Sequence, residues 1–410
     1  MQEKTELSPS SSRRNFYALL WHASLLAFAK NFMDVDTVLP SMLIESGGNS
    51  FHVGIMTAIL LGGTRFAQLF FAPYISNKPY KKKFLLLGIN SRILSILALG
   101  VIIFFIQAGD TGLVFWAIFL FISLFALGGA FANVSLMDIM GKSILEEKRK
   151  RFFSSRQMLS GVIVLISALL AKKVLAMESY PVNYAYMFII GGLLLLMASL
   201  GFWRLKEELS SSLKIKNVRG FFRVMRTEWR ENKRLPHFIG FVNSQGIAVS
   251  FLPFVILYGK DFLNTGSADT GNFLVFKVIG MVLVSLIVAV GAGRVRYNHM
   301  LYGNVILSVF MAFLTIASQS VVTLQYVFLI GGVVFALYNI TMNGLLLEVS
   351  GKENRALYAG ISGAGNVLPV LFPLTGGWII DQLGFGTFIG VFVFFVLLTF
   401  YFIYHIKCRK

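Results

Sequence analysis

The sequence predicts an all-α membrane protein of twelve transmembrane helices in two pseudo-symmetric six-helix halves. Its apolar mass, the spacing of its apolar runs and the alternation of its basic loops carry that prediction. Of 410 residues, 56% are hydrophobic, 14% are charged and 40 are phenylalanine, with a mean hydropathy of +0.73. No water-soluble core of this size needs so much apolar surface, so lipid is the solvent for most of it. Crossing a hydrocarbon core of roughly 30 Å takes about 20 helical residues, which allows about twelve spans and no soluble enzymatic domain.

Apolar runs bounded by polar or Gly/Pro breaks place the first six helices near 15–41, 52–75, 84–107, 113–138, 153–177 and 183–205. The second six fall near 236–260, 270–292, 299–317, 322–348, 355–380 and 386–407. Residues 1–14 are polar, and the first run carries His22 and Lys30 with no small-residue cleavage site after it. It reads as a retained span rather than a signal peptide. The chain thus divides into an N-terminal half, 1–205, a basic linker, 206–235, and a C-terminal half, 236–410. Cys408 is the one cysteine, which excludes an intramolecular disulfide and any multi-cysteine metal site.

The formal net charge of +18 is a topology signal. Thirty of the 37 Lys and Arg residues lie at the N-terminus, in alternate loops or in the C-terminal tail. The opposite loops hold Lys172, Lys173 and Lys260, and Lys30, Arg65, Arg92 and Lys277 lie inside spans. The positive-inside rule then puts both termini in the cytoplasm of a multi-pass protein of a bacterial inner membrane. The excess charge adds attraction to anionic lipid. Sequence cues for nucleic-acid binding are missing, so none is expected.

Six spans, a linker and six more spans suggest duplication. Residues 151–161 align without gaps on 355–365, each segment following a basic loop and opening the fifth span of its half. Residues 186–191 echo 386–390 in the sixth and twelfth spans. A parallel repeat is an arrangement in which substrate binds near the bilayer midplane. Span count, central basic linker and parallel halves resemble the major facilitator superfamily over essentially the whole chain. Asp36-Thr37-Val38-Leu39-Pro40 in the first span looks like a shortened form of a pattern found in some drug:proton antiporters. The loop 76–83 occupies the place of the family's Gly/Asp/Arg signature and keeps only its positive charge. The fifth span lacks the Gly-Pro element of many antiporters, whereas the eleventh is Gly-rich from 360 to 377, with Pro369 and Pro373.

An ionised residue at a helix centre costs about 2.5–3.5 kcal/mol on insertion scales, so buried cations should face water, a partner or a substrate. In the fold the resemblance implies, spans one, two, seven and eight line the cavity and span three lies farther out. Lys30, Arg65 and Lys277 are therefore favoured over Arg92 as contacts for an anionic solute, Arg65 suiting bidentate contact and Lys277 point attraction. The competing use of each cation is pairing with an acidic neighbour or snorkelling. Asp34 lies one helical turn beyond Lys30, so an i,i+4 pair is available on a continuous helix. Asp36 precedes Pro40, whose ring prevents a normal backbone bond to the Asp36 carbonyl. A carboxylate in a partly dry vestibule suits proton coupling, making Asp36 and Asp34 candidates, unless both simply meet water outside the membrane.

Asn243, Gln245, Asn339 and Asn343 are weaker candidates for substrate contact, since interhelical hydrogen bonding is their commoner use. Asp138 and Glu348, near Arg151 and Arg355, form a candidate cytoplasmic gate, or else are solvated helix-end charges. In the linker, Val218, Phe221, Phe222, Met225 and Trp229 share helical spacing, with Arg219, Arg223, Arg226 and Arg230 largely off that stripe. This reads as a basic amphipathic helix on the cytoplasmic leaflet, a face that a regulatory partner could also use. The five histidines are scattered, and no nucleophile motif, metal cluster or phosphate loop stands out. The expectation is a monomeric secondary transporter without cofactor, moving a small anionic organic solute by alternating access with protons as coupling ion. Efflux of amphipathic drugs or lipid-like molecules is the alternative, and a membrane-embedded enzyme or scaffold the non-transporter one.

Overall fold

The computed structural model describes residues 7–65, 67, 71, 74–75, 77–106, 111–210, 218–290, 297–350, 358, 361–363 and 365–406. Among them, nine helical stretches are long and apolar enough to cross a membrane. One of these, Ile361–Ile406, has 46 residues, about 69 Å of helix and twice a bilayer's thickness. It breaks at Gly384 (φ 81°, ψ 169°), a backbone conformation that glycine adopts without steric cost. That break separates the eleventh span from the twelfth. The first two spans complete the twelve-helix fold; each is interrupted.

In the first span, α1 (Pro9–Lys30) opens on Ser8, whose side chain accepts from the Ser11 N–H, with Pro9 in the first turn. A 3₁₀ turn, Asn31–Met33, follows, and α2 (Val38–Glu45) resumes only after Thr37 at φ −129°, ψ −64°. The continuous helix expected over 15–41 is thus corrected. In an unbroken helix the Pro40 ring would clash with the Asp36 carbonyl, whereas in the first turn of α2 its missing N–H is no loss. The second span starts as α3 (Ser50–Ala58), opened by a reciprocal Asn49–His52 capping box, and widens into a π-helical stretch, Ile59–Gly63.

The remaining helices are α4 (Lys82–Phe105), α5 (Thr111–Ser143), α6 (Glu146–Leu175), α7 (Val182–Arg204), α8 (Val218–Glu231), α9 (Arg234–Gly246), α10 (Leu252–Leu263), α11 (Ser267–Val290), α12 (Tyr297–Ile316), α13 (Val321–Ser350) and α14 (Leu368–Ile406). They group into two compact units, Met1–Asp34 with Gly63–Phe221, and Val35–Gly62 with Phe222–Lys410. In the first unit α4 packs on α5 and α7, and α1 on α7 and α6. In the second α12 packs on α13 and α14, and α9 on α14, the same pattern six spans later. Residues 35–62 join the second unit, where α3 packs on α14 and α2 on α10 and α11.

Glycine sets how closely these helices meet. A Cβ on Gly332 would stand 1.9 Å from the Lys277 carbonyl oxygen, so α13 and α11 touch backbone to backbone there. Small residues at such crossings replace the hydrophobic drive that lipid cannot supply. Large apolar side chains such as Leu94, Phe105, Trp116 and Val290 point outward instead, as a lipid-facing surface requires.

Two consecutive carboxylates organise the basic end of the first unit. Glu207 accepts from the N–H groups of Lys81 and Lys82 at 2.7–2.9 Å, satisfying donors at the start of α4. Glu208 accepts from Ser11 Oγ (2.8 Å) and the Ser8 N–H (3.2 Å) at the start of α1 and pairs with Lys206 (3.0 Å). Hydrogen bonds from Lys206, Ser11 and Ser8 hold the Glu208 carboxyl well below the usual carboxylate range.

Candidate functional site

Among the described residues of the second unit, a buried ion pair joins Asp36 to Lys277. Lys277 Nζ donates to Asp36 Oδ2 at 2.5 Å, with side-chain exposures of 4% and 8%. Lys277 lies ten residues past Ser267, about 15 Å along α11 and so halfway through a span. Seven residues earlier on the same face, Thr270 Oγ1 meets Ser41 Oγ of α2 at 2.8 Å. The segment 35–62 is therefore held to α11 by an ion pair at one level and a hydroxyl pair at another.

Local sequence puts each partner there. The break forced by Pro40 frees Asp36 from helical periodicity, so its carboxylate is buried although Asp34, two residues earlier, is only half-buried. On the other side, the absence of a side chain at Gly332 lets α13 press on the backbone of Lys277. A buried pair of this kind gains strong attraction but loses the hydration of two ions, so it is close to balanced as long as both charges persist. Removing either charge, by mutation or by a proton on Asp36, unbalances it.

Other expected site residues fall as follows. Lys30 ends α1 and is exposed, and Asp34 has extended backbone beyond the 3₁₀ turn, so helical i,i+4 spacing does not relate the two. Arg65 is half-buried just past the π-helical stretch. Arg92 stacks at 4.0 Å over Phe125 of α5, within the first unit.

The amide of Asn243 is fully employed. Its Nδ2 donates to the carbonyls of Ile239 (2.8 Å) and Gly365 (2.7 Å), and its Oδ1 accepts from the N–H groups of Val367 (3.0 Å) and Leu368 (2.8 Å). The two bonds accepted by Oδ1 cap the start of α14, and the four together leave nothing of the amide for a solute. Gln245 is buried and donates to Ser308 Oγ at 3.0 Å. Asn339 and Asn343 donate back to the carbonyls of Phe335 (2.8 Å) and Asn339 (2.7 Å), one turn earlier on α13.

At the basic ends of the spans, Asp138 bonds Lys81 (2.8 Å) and Lys142 (2.9 Å), and Lys142 also reaches Glu207 (2.8 Å). Glu348 pairs with Arg234 at 2.5 Å. Arg151 is exposed, and Arg355 lies outside the described residues. Lys81, Glu207 and Arg234 were not singled out from the sequence. The mixed-charge Arg204-Leu205-Lys206-Glu207-Glu208 run is the available signal. The linker helix α8 is tied by Glu228 Oε2, which accepts from Tyr358 OH (2.6 Å), while Asn232 donates to that hydroxyl (2.8 Å) and to the Val349 carbonyl (3.0 Å). Among the described residues no three His, Cys, Asp or Glu side chains are grouped to hold a metal ion.

Multiple spans, a repeated helix-packing pattern and a charged pair at mid-membrane depth describe a solute transporter. The family model of the Major Facilitator Superfamily matches residues 20–365, and the chain belongs to that superfamily. Among similar solved structures, the nucleoside transporter NupG aligns with a TM-score of 0.73 at 13% identity, covering 96% of this chain and 100% of that one. A D-xylose-proton symporter gives 0.66 at 13% identity over 96% and 99%, and a POT family transporter 0.67 at 12% over 96% and 97%. No curated protein sequence matches. At such identities the likeness speaks for the fold, and the family for a multi-pass membrane transporter of small molecules rather than an enzyme.

Proposed function

We propose that this chain moves a small anionic organic solute by alternating access, in symport with a proton, as a monomer in a bacterial inner membrane with both termini in the cytoplasm. The organisation that goes with this is two six-helix halves, 1–205 and 236–410, joined by the linker 206–235. The observation that carries the reading is the buried Asp36–Lys277 pair. With Asp36 ionised, Lys277 is neutralised by the protein itself. A proton on Asp36 removes that countercharge, and a solute carboxylate or similar anion can then supply it to the Lys277 ammonium. Proton and anion thus occupy the site together, and the site's net charge is the same empty and loaded.

The pair also links binding to movement. Opening the site requires α2 and α3 to part from α11 and α14, and the ion pair is one of the contacts that resist this. Arg65 and Lys30 supply further positive charge for an anion in the first unit. Gln245, Asn339 and Asn343 supply polar contacts in the second, whereas Asn243 is assigned to capping α14. Asp138 and Glu348 act as the cytoplasmic gate carboxylates, and Arg151 and Arg355 are the basic residues assigned to the same gate.

A ligand screen by thermal unfolding tests the substrate class. Small organic anions should raise the melting temperature of the purified protein, and the gain should vanish in Lys277→Gln. Stabilisation by neutral or cationic solutes that survives Lys277→Gln would contradict the anionic assignment.

A further inference from the structure

We propose that a cavity at the start of α4 binds the headgroup of an anionic glycerophospholipid. The cavity, of about 420 Å³, is lined by Lys78, Pro79, Tyr80, Lys82, Lys83 and Leu86. Among the described residues that line it, half are lysines and none is acidic. The carboxylates nearby are already committed: Asp138 to Lys81 and Lys142, Glu207 to Lys142 and to the N–H groups of Lys81 and Lys82.

The three cavity lysines are held differently. Lys82 Nζ donates to the carbonyls of Trp203 (2.8 Å) and Leu205 (2.7 Å), which fixes its ammonium and leaves one proton to direct elsewhere. Lys78 Nζ lies 4.8 Å over the Tyr74 ring and Lys83 Nζ 5.4 Å over the Phe84 ring. Ring faces orient an ammonium without neutralising it. A phosphodiester offers the negative charge and acceptor oxygens that this arrangement is missing.

The surroundings favour a lipid over a soluble phosphate. Tyr74, Tyr80 and Trp203 are exposed around the cavity, the tyrosine and tryptophan chemistry of a headgroup-level belt. Leu86 lines it, and Leu87, the next residue on a membrane span, is 56% exposed. An acyl chain has apolar surface to follow there, whereas a free phosphate has no use for it. The basic side of the protein, by the charge rule, meets the leaflet where anionic lipid attracts Lys and Arg. The assignment rests on the membrane topology and is independent of Asp36, Lys277 and the solute.

Native mass spectrometry of the full-length protein, titrated with phosphatidylglycerol or phosphatidylcholine of identical acyl chains, tests it. Wild type should retain phosphatidylglycerol at least tenfold better. At about 1 kcal/mol per lysine near a membrane surface, Lys78→Gln with Lys83→Gln should weaken phosphatidylglycerol about 30-fold and leave phosphatidylcholine unchanged. Lys172→Gln with Lys173→Gln, at the opposite side, should change neither. If the first double variant does not fold, the salt dependence of wild type decides, since screening should abolish the preference near 1 M salt. Equal retention of the two lipids, a salt-independent preference, or an unaffected double variant would overturn the proposal. Displacement of phosphatidylglycerol by equimolar glycerol phosphate would overturn it in favour of a soluble organophosphate.

Discussion

Replacing Lys277 with glutamine deletes the positive partner of a carboxylate that is 8% exposed and 2.5 Å away. At that separation and an effective dielectric constant of about 20, the lost attraction is roughly 7 kcal/mol. Part is recovered because one ion no longer has to be dehydrated, so the expected net loss is about 3–5 kcal/mol, the range for breaking buried pairs. Asp36→Asn removes the countercharge of the ammonium instead and should cost a similar amount. The double variant carries two neutral side chains of nearly native volume that can hydrogen-bond, so it should sit within about 2 kcal/mol of wild type. The cycle therefore predicts a coupling energy of at least about 4 kcal/mol, measured by equilibrium unfolding of the four proteins in mixed micelles at pH 7. Additive single effects, with coupling below about 0.5 kcal/mol, would refute the view that the two charges hold each other in the membrane interior.

Gly332→Ala places a methyl group 1.9 Å from the Lys277 carbonyl and must separate α11 from α13, for a loss of about 1–3 kcal/mol or more by thermal unfolding. An unchanged melting temperature would show that the crossing is loose. Asn243→Ala removes three hydrogen bonds to the segment 365–368 that leads into α14, and one within α9, and should destabilise by about 1–3 kcal/mol while leaving the KM of residual transport unchanged. A raised KM at native stability would return Asn243 to the substrate site. Glu208 contributes stability above the ordinary carboxylate pKa, because its folded-state pKa is depressed, and loses it as pH falls through the folded value. Glu208→Gln should thus melt below wild type at pH 7, with the gap narrowing only well below pH 4.5. A gap that is constant from pH 7 to strongly acid conditions would contradict the capping role.

Much of the fold was legible because lipid imposes it. Span lengths follow from hydrocarbon thickness, and the basic loops punctuate them, so the helices near 84–107, 183–205 and 299–317 differ from α4, α7 and α12 by only a few residues. The site was less legible. Lys277 and Asp36 were each picked out as ionisable residues at membrane depth, but as separate candidates for solute and proton, because a pairing across 241 positions leaves no trace in local pattern. Pro40 announced a local fault in the first span, yet not that it would turn Asp36 toward α11. Asn243 illustrates the opposite difficulty. An amide on a span looks alike whether it faces solute or caps a neighbouring helix, and the break before Leu368 that it serves lies more than 120 positions away. Glu207 and Glu208 looked like ordinary linker charges, since the helix starts they cap belong to distant segments.

Proton movement accompanying solute entry tests the central claim most directly. Proteoliposomes loaded with a pH-sensitive dye and given an anion identified by the thermal screen should acidify inside as the solute enters. In Asp36→Asn that acidification should vanish while solute exchange at equal concentrations persists. Solute entry without acidification in wild type, or full acidification in Asp36→Asn, would contradict coupling through the Asp36–Lys277 pair.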